Sequence, residues 1–207
     1  HDPSLKGFQV GPDSLGVCEG GGSLCANEAE FTVQLLMTPD EDVEVILDYD
    51  EQQIEVEGNS KSLSDTLVFT PENWQASQRV TVTAVNDDES EGDLETEIAF
   101  TVNSSDAGYD SLTIDALTVF IEDNDQIGLL FDGVPLPAIV EGGLSVREFD
   151  VRLSSRPTSG VDVAMSVLGD SHLEIITNGG WGQTASLSFS ILDWAVEKTV
   201  QVRALDD

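Results

Sequence analysis

An internal repeat is the feature that most constrains the fold of this chain. Residues 69–87 have a second version at residues 189–207, 120 positions later. A phenylalanine, a tryptophan, two valines, an alanine and a closing aspartate recur there in the same order. Agreement at so many ordered positions indicates a duplicated structural unit. The repeat predicts two domains, residues 1–125 as a complete copy and residues 126–207 as a copy truncated at its C-terminal end.

Hydrophobic periodicity predicts that each copy is built from β-strands. Valine, isoleucine, leucine and phenylalanine alternate with polar residues over short runs, while glycine, asparagine, aspartate, serine and proline fill the gaps between them. Alternation at period two is typical of strands with one buried face, and no stretch shows the 3.6-residue period of a helix. The chain is therefore predicted to be all-β, with antiparallel sandwiches. The clearest runs are 31–35, 43–47, 80–84, 98–102 and 117–121.

The charge of the chain limits the partners that it can bind. Forty acidic residues against eight basic ones give a formal net charge of −32 at pH 7. A field of that sign repels nucleic acids and anionic membranes, so neither is an expected partner. No apolar run approaches the roughly 20 residues of a membrane span. The acidic residues have two interpretations, a solvated surface suited to salty water or a set of metal ligands.

The two cysteines, Cys18 and Cys25, lie close together in the sequence with three glycines between them. A zinc site needs about four ligands, and the chain has only two histidines to add to the cysteines. A disulfide that closes a small loop is the favoured interpretation, with two free thiols as the alternative. A disulfide would indicate an oxidising compartment, so the predicted location is extracellular or at the cell surface.

Five short motifs follow one another in the first copy, at residues 69–74, 80–88, 91–93, 104–109 and 123–125. Their order resembles that of a Calx-beta-like repeat. Such repeats occur in tandem in large secreted and surface proteins, and related domains form the calcium sensor of sodium–calcium exchangers. The resemblance implies an Ig-like sandwich of seven strands, with Ca²⁺ held by acidic loops at one end where it is bound.

Candidate calcium ligands follow from the resemblance, position by position. At the corresponding positions of the second copy, acidic residues remain only at Glu141, Asp206 and Asp207. The residue chemistry points the same way, because residues 86–93 contain five carboxylates and Ca²⁺ prefers six to eight oxygen ligands. The candidates in the first copy are Glu19, Asp87, Asp88, Glu91, Asp93, Asp123 and Asp125.

No enzyme signature is found in the sequence, and the chain is predicted to be non-catalytic. A serine–histidine–aspartate arrangement has only His1 and His172 to draw on, and no G-x-S-x-G turn is present. The first functional hypothesis is an extracellular structural or adhesive module that calcium stiffens, with neighbouring repeats of the same chain or a surface ligand as partners. Two alternatives remain, a fibre subunit completed by a strand from another copy, and a spacer module in a secreted polysaccharide-active enzyme.

Overall fold

The computed structural model describes residues 6–21, 25–58, 65–110, 112–141, 145–169 and 172–206. These residues form fifteen β-strands and no helix, which confirms the predicted all-β class. None of the described residues therefore forms a helix that is long and apolar enough to span a membrane. Asp207, one of the predicted positions of the second copy, and His1 lie outside the described residues.

The chain divides into two compact units. The first comprises residues 1–87 and 91–124, and the second comprises residues 88–90 and 125–207. The sequence duplication predicts a boundary after residue 125. The packing of the chain instead places residue 125 in the second unit. It assigns the tripeptide 88–90 to the second unit.

The first unit is a sandwich of two sheets. One sheet has the strand order β1-β3-β7-β5 and the other has the order β2-β9-β8-β4-β6. Alternate side chains of both sheets point inward, and phenylalanines, valines, leucines and isoleucines with almost no exposure fill the space between the sheets. The strands are β1 Phe8–Gly11, β2 Ser14–Cys18, β3 Glu28–Leu35, β4 Val43–Asp48, β5 Ile54–Gly58, β6 Thr66–Phe69, β7 Gln78–Ala84, β8 Leu94–Ser104 and β9 Leu117–Glu122.

One strand pair departs from the antiparallel arrangement that the sequence predicts. β2 runs parallel to β9, with Leu15 opposite Val119. The chain forms β1 in the first sheet, leaves that sheet at Gly11–Pro12 and continues as β2 at the edge of the second sheet. Proline has no N–H to donate to a ladder, so a strand readily breaks there. Because of this exchange, β2 and β9 end at the same end of the sandwich.

The second unit reproduces the first as far as its strands extend. Its sheets have the orders β10-β11-β15-β13 and β12-β14. The registers match the first unit: Phe149 lies opposite Val200 as Phe31 lies opposite Val80. The tandem-sandwich fold is therefore confirmed. The strands are β10 Leu129–Asp132, β11 Arg147–Leu153, β12 Val161–Ser166, β13 Leu173–Ile176, β14 Thr184–Phe189 and β15 Lys198–Ala204.

The second sandwich is incomplete among the described residues. It has no counterparts of β2, β8 and β9. The missing β2 has a direct physical reason, since β2 of the first unit is held in its sheet by β9. Without such a partner, residues 136–140 form no strand, although Leu136 and Ile139 still pack against the core of the second unit.

The tryptophan that recurs in the repeat has the same structural position in both units. Trp74 packs against the core of the first unit and Trp194 against that of the second. Each indole is only partly buried and lies in the turn that precedes β7 in the first unit and β15 in the second. Their equivalent places in both copies indicate a structural role rather than a ligand-binding one.

Candidate functional site

Three loops of the first unit meet at one end of its sandwich. They follow β2, β7 and β9, and they contain most of the predicted metal ligands. We call this end the acidic tip; it comprises residues 19–21, 86–87, 91–93 and 123–124. The parallel β2–β9 pair brings two of these loops together, and the antiparallel β8–β9 pair adds the segment before β8, since Leu94 lies opposite Ile121.

Glu19 is the buried carboxylate of the acidic tip. It follows directly after β2, its side chain is almost fully buried, and its backbone N–H donates to the carbonyl oxygen of Glu122 at 3.1 Å. Oxygen atoms of the Glu19 and Asp87 carboxylates lie within 4.8 Å of each other. Two carboxylates at that separation, one of them removed from water, favour a bound cation.

Asn124 joins the loops of the acidic tip. Its side-chain amide donates to the backbone carbonyl of Glu19 at 2.9 Å and to Oδ1 of Asn86 at 2.7 Å. The loop after β9 is thereby tied to the loops after β2 and β7. These two asparagines were missed by the sequence analysis, which counted carboxylates only. Their position directly beside the predicted ligands was the signal that could have identified them.

Gly20 allows this close approach. Its φ of 61° lies in the left-handed region, and a Cβ atom added there would lie 2.5 Å from Nδ2 of Asn124 and 2.5 Å from Oδ1 of Asn86. A side chain at this position would therefore clash with both amides. A glycine is therefore needed at position 20, where the loop passes directly beside Asn124.

Asp93 and Asp123 form a second part of the acidic tip. Asp123 accepts a hydrogen bond from the backbone N–H of Gly92 at 2.6 Å, and its own N–H donates to Oδ1 of Asp93 at 3.2 Å. Because Asn124 follows Asp123 in the chain, this pair lies next to the Glu19–Asp87 pair. Glu91 is exposed and accepts a hydrogen bond from Nε2 of Gln53 at 3.3 Å.

The remaining two candidates, Asp88 and Asp125, belong to the second unit. The carbonyl oxygen of Asp88 accepts a hydrogen bond from the N–H of Arg156, and that of Asp125 accepts one from the hydroxyl of Ser90. In both contacts the candidate residue takes part through its backbone carbonyl oxygen and not through its carboxylate. In the second copy, Glu141 and Asp206 are both exposed. Oε1 of Glu141 lies 3.8 Å from Nδ1 of His172.

Cys18 and Cys25 form a disulfide, with Cα atoms 5.8 Å apart. The bond closes the loop that contains Glu19 and Gly20. Sγ of Cys18 lies 3.3 Å from a carboxylate oxygen of Glu122. Cys18, Cys25 and Glu122 lie close enough together to hold a metal ion, but the two sulfur atoms are oxidised, so this group is unsuited to bind one. The structure therefore contains the predicted disulfide and not two free thiols.

No protein-family model and no curated protein matches the sequence. Several solved structures are similar. CBD12 from CALX1.2 is 18% identical with a TM-score of 0.41, over 97% of this chain and 76% of that one. A two-domain protein of unknown function from Bacteroides fragilis is 14% identical with a TM-score of 0.40, over 98% and 89%.

A third similar structure is the CsuC–CsuE chaperone–tip adhesion subunit complex from Acinetobacter baumannii. It is 9% identical with a TM-score of 0.37, over 89% of this chain and 87% of that one. At these identities and TM-scores the similarities establish neither a family nor a function, and the acidic tip itself is the basis for assigning a function.

Proposed function

We propose that this chain is a non-catalytic, extracellular structural module whose first unit binds Ca²⁺ at the acidic tip. The observation that carries the proposal is the buried Glu19 carboxylate facing the Asp87 carboxylate. Burial removes water from a charged group, and a divalent cation compensates for that loss better than a second carboxylate does.

The side chains of the acidic tip fit a hard cation. They offer carboxylate oxygens, and the sulfur atoms nearby are oxidised and leave no thiolate for a softer metal. Glu19 and Asp87 are the expected central ligands. Asp93 and Asp123 are expected to add oxygens or to hold ligating water, while Glu91, Asp88 and Asp125 are the remaining sequence-based candidates. When bound, Ca²⁺ would neutralise the tip and hold its loops together.

The extracellular location is part of the same proposal. The Cys18–Cys25 disulfide supports it, because such bonds persist in oxidising compartments and are rare in the cytosol. The non-catalytic role is supported by the sequence, which has two histidines and no nucleophile motif. A structural or adhesive module stiffened by calcium combines these features, with neighbouring repeats or a surface ligand as its partners.

Calorimetric titration of the full chain with CaCl₂ tests the proposal. We expect saturable binding and a higher melting temperature of the first unit in Ca²⁺ than in chelator at equal ionic strength. Equal ionic strength matters because any salt screens a net charge of −32. Superimposable melting curves with Ca²⁺ and with chelator would contradict the calcium part of the proposal.

Two matched variants locate the site. Glu19→Gln removes the buried charge and is expected to weaken Ca²⁺ binding by about tenfold or more, roughly 1.4 kcal/mol. Glu141→Gln changes the equivalent position of the second unit, where the carboxylate is exposed, and should leave binding unchanged. Equal effects of the two changes would place the binding elsewhere.

A further inference from the structure

A carboxylate lies against the disulfide of the first unit. Oε2 of Glu122 is 3.3 Å from Sγ of Cys18, and the two sulfur atoms and one oxygen of Glu122 all lie within 4.8 Å of one another. A disulfide sulfur has no hydrogen atom to donate, so Glu122 gains no hydrogen bond from Cys18 in the oxidised protein. Three side chains that can each bind a metal are thus gathered at one place, two of them joined to each other.

The backbone holds these three side chains together independently of the bond between the sulfur atoms. Cys18 lies opposite Glu122 at the ends of the parallel strands β2 and β9. The N–H of Cys18 donates to the carbonyl oxygen of Ala26 at 2.9 Å, which fixes the residue next to Cys25 beside the same strand. We therefore expect the two cysteines and Glu122 to remain side by side when the disulfide is reduced.

A groove open to solvent runs beside this group. It measures about 620 Å³, and Cys25 and Glu122 are among the residues that line it. Gly16 leaves room in the groove, because none of the described atoms lies within 4 Å of a Cβ added there. A hydrated metal ion can therefore reach the sulfur atoms and retain a water molecule.

We propose that the reduced protein binds Zn²⁺ through the thiolates of Cys18 and Cys25 and the carboxylate of Glu122, with a water molecule from the groove as the fourth ligand. Zn²⁺ favours four ligands in a tetrahedral arrangement and accepts both sulfur and carboxylate oxygen. The sequence argument against zinc counted cysteines and histidines, whereas the fold supplies a carboxylate as the third protein ligand. This site is separate from the proposed calcium site, whose ligands are oxygen atoms.

The zinc site and the disulfide exclude each other. A dithiol reductant supplies two electrons and two protons to the disulfide, which becomes two thiols while the reductant becomes a cyclic disulfide. Zn²⁺ then displaces the two thiol protons, because the thiolate is the ligand. The cation also relieves the repulsion among two thiolates and a carboxylate. The site therefore belongs to the chain before its disulfide forms, or after a thiol reductant has opened it.

Cobalt binding to the reduced full chain tests the proposal. The protein is reduced, separated from the reductant without oxygen and titrated with Co²⁺, which occupies the same ligand geometry and absorbs in the near ultraviolet when thiolates bind it. Carboxylates of the acidic tip do not give this absorption. We expect it to saturate at one Co²⁺ per chain and to disappear when Zn²⁺ is added. The oxidised protein and the Cys18→Ala/Cys25→Ala variant should not show it.

Two carboxylate variants separate the folded site from binding by the two thiols alone. Glu122→Gln removes a ligand and should weaken Co²⁺ and Zn²⁺ binding by about tenfold or more. Glu95→Gln is the matched control, because Glu95 is exposed and lines the same groove, and it should leave binding unchanged. Circular dichroism shows whether each reduced protein is folded. No thiolate absorption in the reduced protein, or equal effects of the two variants, would overturn the proposal.

Discussion

The ammonium group of Lys6 contacts the buried carboxylate of Asp106, a residue 100 positions later in the chain. Asp106 also accepts hydrogen bonds from the backbone N–H groups of Asp40 and Gly108, at 2.7 and 2.8 Å. This pairing fastens the segment before β1 to the turn after β8. The Ser-Asp-Ala-Gly-Tyr motif that contributed to the family resemblance thus holds the sandwich together through Asp106 and Tyr109, away from the acidic tip.

Replacing Lys6 should destabilise the first unit strongly. Lys6→Met leaves the Asp106 carboxylate buried without its cation, and breaking a buried pair in this way costs about 3 kcal/mol. Arg79→Met is the matched control, because the Arg79–Glu30 pair, at 3.0 Å, is exposed on both sides. Exposed pairs contribute about 1 kcal/mol or less. Calorimetric melting measures both changes, and equal losses would show that the Lys6 contact is no stronger than a surface pair.

The same pairing predicts an acid dependence of stability. Hydrogen bonding to Lys6, followed by the Asp40 N–H, lowers the pKa of Asp106 below its ordinary value. A carboxyl group whose pKa is depressed by folding stabilises the protein above its unfolded pKa of about 3.9, and loses that contribution as the pH falls further, through its folded pKa.

Melting curves from neutral pH down to about pH 3 measure this dependence. Protonation of the many other carboxylates also changes stability as their repulsion falls, so the comparison is made with Asp106→Asn. We expect the difference between the two proteins to be constant above about pH 5 and to shrink below about pH 4. A difference that stays constant throughout the acid range would contradict the depressed pKa.

Gly20→Ala should disrupt the acidic tip, whereas Gly92→Ala should have a smaller effect. Both glycines have a positive φ, 61° and 78°, so each substitution introduces backbone strain of about 1 kcal/mol. A Cβ at Gly20 would also clash with Asn86 and Asn124, while none of the described atoms lies within 4 Å of a Cβ at Gly92. We expect the Gly20 variant to lose about 1 to 2 kcal/mol more. Similar losses for the two variants would show that the loop adjusts.

Reducing the disulfide should lower the melting temperature of the first unit and leave the second unit unchanged. Cys18 and Cys25 are separated by seven positions, and closing so short a loop contributes about 2 to 3 kcal/mol in the chain-entropy treatment. Dithiothreitol applied to the protein, with the Cys18→Ala/Cys25→Ala variant as control, separates this effect from other actions of the reductant. A reductant effect on the double variant would rule out the disulfide as its cause.

The strands and the duplication were predictable because each leaves a local trace in the sequence. Alternation at Phe31, Val33 and Leu35 gives the buried face of β3 directly, and these side chains lie in the core. The parallel β2–β9 pair was not predictable, because alternation carries no information on the direction of a neighbouring strand. It depends on the exchange between sheets at Gly11–Pro12, which is a tertiary feature.

The acidic tip was predictable only in part. The carboxylates are visible in the sequence, and Glu19 and Asp87 do lie together. Which carboxylate is buried could not be read from the sequence, because burial depends on how loops that are distant in the sequence meet in the fold. Asp106 shows the opposite case, a buried acidic residue with a structural role, whose lysine partner is too distant in the sequence to be identified by spacing.

The acidic composition has a consequence for how this protein behaves in concentrated solution. At neutral pH the charge of −32 keeps copies of the chain apart. Near the isoelectric point of about 4.1 that barrier disappears. The acidic surface thus acts as a colloidal stabiliser, and light scattering should show the chain associating when the pH is lowered towards the isoelectric point.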